Sequence, residues 1–198
     1  MSSAARTPVS TLQSRKQQLV RNEIWSAAVE LFHASGFDNV TIDQIAAHAG
    51  VSRRTFFRYF ASKDDVLAST MRNFGHNLAA SINEDRTGTA YEAAKRAVLA
   101  ILGPAAQTPT TQRVVEIAKR SAGASGAQMQ QRWIVEQQVA LAFATRARRR
   151  SPRLEDRILA ALTLSATSLA VELWVEQPKR VMSEIVEEVF AKTAQLTR

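Results

Sequence analysis

Cysteine is absent from this chain of 198 residues. That single absence removes disulfides, thiolate metal sites and cysteine nucleophiles together. It fits a reducing compartment, and a cytoplasmic location is expected. Histidine occurs three times, at His33, His48 and His76. None has the histidine or acid at i+4 that a helical metal site would use, so no metal is expected. There is no run of eighteen apolar residues, so no membrane span or membrane partner is expected. The first residues, MSSAARTPVSTLQSRKQQ, lack the apolar core of a secretory signal, and residues 1–12 read as a disordered arm. Nowhere do Val, Ile and Thr alternate with polar residues over a useful length, which argues against strands. Also missing are a nucleophile elbow, a phosphate-binding glycine loop and a carboxylate–histidine cluster. An enzyme is therefore not expected, and no cofactor is implied.

What remains is helix after helix, and an all-α fold of about nine helices is predicted. The first spans about Gln13 to Ala34, where Ile24, Ala28, Leu31 and Phe32 repeat on one face. Gly36 supplies a position that tolerates positive φ. Thr41 caps a short helix with Ile42, Ile45 and Ala46 inward. Ala49-Gly50-Val51 is a tight turn, Ser52 caps a third helix to about Phe57, and Ser62 a fourth to about Ile82. Further breaks are read at Asn83–Thr89, Gly103–Pro109, Ala122–Gly126, Arg150–Pro152 and Gln177–Pro178. Pro152 and Pro178 are read as first-turn prolines of new helices. The organisation expected is a three-helix DNA-binding unit over 13–62 and a larger helical part over 63–198.

Net charge is +8 and the isoelectric point about 10.6. Residues 1–65 hold eight cations against six acids, so most of the excess lies downstream. The case for a polyanionic partner therefore rests on local placement. The stretch AGVSRRTFFRYFASK, residues 49–63, holds Arg53, Arg54, Arg58 and Lys63 with no acid among them, and three Phe and one Tyr interleaved. Two short helices joined by a Gly-containing turn make a helix-turn-helix, whose second helix meets base edges with its first residues. Here those are Ser52, Arg53, Arg54 and Thr55. Arginine matches the O6 and N7 acceptors of guanine, and threonine can press its methyl on thymine. Phe56 and Phe60 are expected to face the core. Tyr59 can donate to a phosphate, and Lys63 adds a cation at the start of the fourth helix. A basic amphipathic helix can also be no more than a solvated face; the pattern favours DNA without deciding it.

From Ile24 to Leu67 the chain resembles the DNA-binding domain of the TetR family of transcriptional regulators. The LF…GF pair, the TxxxIAxxAGVS core, the aromatic-x-aromatic-Phe closure and the SK opening the next helix occur in order. The resemblance implies phosphate contacts from Thr41, Tyr59 and Lys63, and a groove-facing set of Arg53, Arg54 and Thr55. Phe57 stands where the family usually has tyrosine, so that phosphate bond cannot form; the ring can still touch sugar or a thymine methyl. Ala61 replaces a frequent proline.

The resemblance also implies a ligand pocket and a dimer interface in the larger part. Pocket candidates are Phe74, Leu78, Tyr91, Met129, Trp133, Gln137 and Phe143, a mainly apolar set suited to a hydrophobic or amphipathic molecule. Dimer candidates are Leu162, Ser165 and Leu169 on one helix and the stripe Met182, Ile185, Val186, Val189, Phe190 on the next. The alternative is that these stripes cover only their own core. The run RARRRSPR, 146–153, is read as the solvated end of a helix and a loop. The function expected is a ligand-responsive, sequence-specific DNA-binding regulator, a homodimer released from operator DNA by a small-molecule effector. The rivals are a ligand-independent architectural DNA-binding protein and a helical enzyme.

Overall fold

The computed structural model describes residues 12–120 and 122–196, with the side chains of 118–129 excepted. Of the expected arm, only Leu12 is among them, as the first residue of a helix. Among the described residues the chain is all-α with nine helices. They are α1 (Leu12–Ser35), α2 (Ile42–His48), α3 (Arg53–Tyr59), α4 (Lys63–Glu84), α5 (Ala90–Ala105), α6 (Pro109–Arg120), α7 (Ala122–Arg146), α8 (Leu154–Glu176) and α9 (Met182–Leu196).

The helix ends follow from local chemistry. Gly36 and Gly50 take φ of 83° and 64°, which lets the chain leave α1 and turn between α2 and α3. Thr41 and Gln44 form a reciprocal capping box on α2, and Thr89 and Glu92 form another on α5. Ser52 caps α3 by accepting from the Thr55 amide, and Ser62 caps α4 by accepting from the Asp65 amide.

Two apolar cores result. The N-terminal one gathers Ile24, Ala28, Phe32, Phe37, Ile45, Phe56 and Phe60 from α1 to α3 and the loops beside them. It does not close at residue 62. Val66 and Leu67 of α4 enter it, and so do Val114 and Ile117 of α6. The second core is built from α4, α5, α7, α8 and α9. Helix α4 belongs to both, and packs most extensively on α7. Their close approach depends on Gly75: a Cβ there would lie 2.6 Å from both Val135 methyls.

Three expectations need correction. Residues 122–126 are not a break but the first turns of α7, and residue 121 lies outside the described residues. Pro152 and Pro178 open no helix. Pro152 lies two residues before α8, and Pro178 sits in a turn closed by the Arg180 amide on the Gln177 carbonyl. The stripe Met182, Ile185, Val186, Val189 and Phe190 is buried in this chain's own core, so it has no surface left for a second copy. Helix α8 is long and apolar enough to cross a membrane by length and composition alone. In the fold it is a core helix, contributing Ala160, Leu164, Ala170 and Trp174.

Candidate nucleic-acid interface

Helix α3 is held by its inner face. Phe56 and Phe60 are fully buried, 6.0 Å apart between ring centres. Their helical phase leaves Arg53, Arg54, Phe57 and Arg58 on the outside, all exposed. The aromatics thus split as the i, i+4 spacing predicts. Phe57 is 44% exposed, with its ring edge-on to Phe56 and the Arg53 guanidinium 5.4 Å from its centre.

The first turn of α3 presents three different situations. Ser52 and Thr55 place their hydroxyl oxygens 3.0 Å apart, so each is partly occupied by the other. Arg53 reaches back to α2 and donates from Nη1 to both Asp43 oxygens, at 2.9 and 2.8 Å. Arg54 is exposed and makes no side-chain hydrogen bond or ion pair among the described residues. At the end of the helix, Arg58 lies over the Tyr59 ring at 5.0 Å and donates to its hydroxyl at 3.4 Å. The Tyr59 hydroxyl keeps its own proton to give to an acceptor such as a phosphate oxygen. Thr41 is exposed at the start of α2, its hydroxyl and amide both donating to Gln44 Oε1 at 3.0 and 2.8 Å.

Lys63 sits elsewhere than a solvent-facing clamp would. Its Nζ donates to the Phe37, Asp38 and Val40 carbonyls at 2.9, 3.2 and 3.3 Å, and lies 4.6 Å from the Phe37 ring centre. An ammonium has three protons, and all three are engaged. Lys63 therefore ties α4 to the loop between α1 and α2. Beside it, Asp65 closes the start of α4 by accepting from the Ala61 amide at 2.9 Å and pairing with Arg72 at 2.7 Å.

Among the described residues, the seven pocket candidates do not together line either of two cavities. Leu78 and Phe143 are core residues, and Phe74 packs against that core. Tyr91 donates to the Phe190 carbonyl at 2.9 Å. Gln137 is half-buried, Trp133 is 65% exposed, and the Met129 side chain lies outside the described residues. Two cavities are present at other places. One of about 420 Å³ lies between α1 and α4, beside Arg21, Trp25, Phe60 and Thr70. One of about 610 Å³ lies where the α4–α5 and α7–α8 loops meet, and only Phe143 of the candidates reaches it. Of the dimer candidates, Leu169 on α8 is 47% exposed and Ser165 is exposed, and they share that face with Ile158. Leu162 is half-buried.

Sequence reasoning missed Asp43, Gln44 and the link through α6. The first two were readable as acid and capping residues; what they touch was not. Glu116 of α6 meets His33 of α1 at 3.1 Å, joining α6 to the N-terminal unit a second time.

Residues 24–70 match the family model described as bacterial regulatory proteins, tetR family. Among curated proteins, the regulator TcmR of Streptomyces glaucescens is 34% identical over 93 residues, 46% of this chain and 41% of TcmR. The putative mycofactocin biosynthesis regulator MftR of Mycobacterium tuberculosis is 46% identical over 52 residues, 26% of each chain. The chain thus spans less than half the length of these two relatives. The uncharacterised regulator TtgW of Pseudomonas putida is 32% identical over 97 residues, 49% of this chain and 70% of TtgW. Among solved structures, a SmeT–triclosan complex superposes with a TM-score of 0.67 at 19% identity, covering 90% of this chain and 91% of that one. FadR of Bacillus subtilis in complex with stearoyl-CoA gives 0.62 at 20% identity, covering 87% and 96%. At such identities the likeness is one of fold.

Proposed function

The chain belongs to the TetR family of bacterial regulatory proteins, and from that premise we propose a cytoplasmic, homodimeric transcriptional repressor released from its operator by a small molecule. The observation that carries the DNA reading is α3: two phenylalanines anchor its inner face while Arg53 and Arg54 stand exposed at its N-terminal turn. That is the part of a recognition helix that reaches base edges. Thr41 and Tyr59 flank it as phosphate contacts, which position without specifying. Lys63 acts by holding the loop that carries α2.

Ligand response is supported by α4 and α6, which enter the DNA-binding core and also border the larger helical part. A molecule that shifts either helix changes the placement of α3. SmeT and FadR carry triclosan and stearoyl-CoA in their complexes, which favours a hydrophobic or amphipathic effector here. The homodimer reading is supported by the exposed apolar residues of α8, Ile158 and Leu169. A two-fold dimer would place two α3 helices about 34–36 Å apart, one turn of duplex.

Selection of bound genomic fragments followed by footprinting tests this reading. A palindromic site with half-sites one turn apart is expected. Sequence-independent protection would favour the architectural alternative.

A further inference from the structure

The cavity of about 610 Å³ at the α4–α5 and α7–α8 loops is lined by four arginines, Arg86, Arg146, Arg148 and Arg149, and one acid, Asp156. Asp156 is committed to Arg149, accepting at 2.5 and 2.7 Å, with Glu155 adding a weaker field. The other three guanidiniums have no acid partner among the described residues. Arg86 donates to the Arg146 carbonyl at 2.8 Å, and Arg146 donates to the Thr87 and Gly88 carbonyls at 2.9 and 2.8 Å. Carbonyls satisfy donors but leave the charge uncompensated. The nearest acid in sequence, Asp85, is held by Arg96 at 2.7 Å. Arg148 is exposed and has no side-chain partner among the described residues.

The backbone sharpens the point. Helix α7 ends with the Arg148 amide on the Thr145 carbonyl and the Arg149 amide on the Ala144 carbonyl, at 2.9 and 2.8 Å. This is a Schellman end, and its left-handed residue is usually glycine. Here it is Arg148, with φ of 56°, the one positive φ outside glycine among the described residues. A strained position is filled by a cation facing a cavity that already holds two uncompensated ones.

We propose that this cavity binds a small multivalent anion, a phosphorylated or multiply carboxylated metabolite, held by Arg86, Arg146 and Arg148. Guanidiniums suit both anions because their forks pair with phosphate and carboxylate oxygens alike. The site is separate from the DNA-binding face: the 22 residues of α4 lie between, a length of about 33 Å. It spans the end of α4 and the α7–α8 loop, so an occupant would bridge the helix shared by both cores to the two helices beyond it.

The test uses the whole chain without DNA, at fixed ionic strength, with tripolyphosphate and citrate as separate probes. Thermal unfolding and calorimetric titration are read for the natural protein, Arg148→Gly and Arg86→Gln. Either probe should raise the melting temperature of the natural protein by mass action; the one that does identifies the anion class. Arg148→Gly relieves the left-handed strain, so it should melt no lower, yet bind the probe about tenfold more weakly. Arg86→Gln should weaken it comparably. Three results would overturn the proposal: no shift with either probe at millimolar concentration, binding by both variants as tight as that of the natural protein, or an Arg54→Ala variant that alone abolishes the effect. A loss of duplex affinity in Arg148→Gly without probe binding would make the patch a DNA contact instead. Operator binding is measured separately, so its failure would leave this result intact.

Discussion

Arg53 of α3 and Asp43 of α2 are joined through one guanidinium nitrogen that lies within 2.9 Å of both carboxylate oxygens. The pair is more than half exposed on both sides, 58% and 66%. Its stabilising value is therefore small. Its positional value is larger, because it sets the direction of the first arginine of α3.

The two adjacent arginines should consequently behave differently. Arg54→Ala is expected to cost about 1–3 kcal/mol of discrimination between operator and mismatched sites. Arg53→Ala should cost less, since that guanidinium must share itself with Asp43. Asp43→Asn should tighten binding to every duplex, because it removes a negative charge beside the phosphates. Fluorescence anisotropy on matched and mismatched duplexes at several salt concentrations checks all three. Equal losses for the two arginines would show that Asp43 releases Arg53 on binding.

Lys63→Met should act first on stability. The ammonium satisfies three carbonyls of the α1–α2 loop, and its removal is expected to cost about 1–3 kcal/mol. Urea unfolding measures this. Affinity for DNA, corrected for the folded fraction, should keep its salt slope. A slope lower by about one would instead place Lys63 on a phosphate in the complex.

Gly75→Ala is expected to destabilise by about 1–3 kcal/mol through overpacking, since the new Cβ would meet both Val135 methyls at 2.6 Å. Val135→Ala in the same chain should recover part of the loss. A double-mutant cycle reports the coupling, and additive effects would mean that α4 and α7 yield at that point.

Asp156 predicts an acid sensitivity. Arg149 holds its carboxyl below the usual carboxylate range, the Arg153 amide helps, and burial opposes them. A depressed folded value means stability that is complete above the ordinary aspartate range, near pH 4, and is lost as pH falls through the folded value. Asp156→Asn should lower the urea midpoint at neutral pH and flatten its fall below about pH 4. An unchanged acid limb would show that other carboxylates govern it.

The helix-turn-helix of α2 and α3 was legible because its determinants are short-range. Thr41, Ser52 and Ser62 accept from amides three residues on, Gly50 supplies a positive φ, and Phe56 and Phe60 share a face by helical phase alone. Those relations exist in any chain that folds these segments as helices. The tertiary structure decided what no spacing encodes. It turned the α9 stripe inward, because α5 and α8, which pack against it, leave an apolar face there to cover. It sent Lys63 to carbonyls some 25 residues away in sequence and carried α6 into the first core. It also brought Arg86 beside Arg146, 60 residues apart, making a charged cavity out of what reads in sequence as a solvated helix end. Which face of a helix is buried follows from its own period; what it is buried against depends on the path of the whole chain.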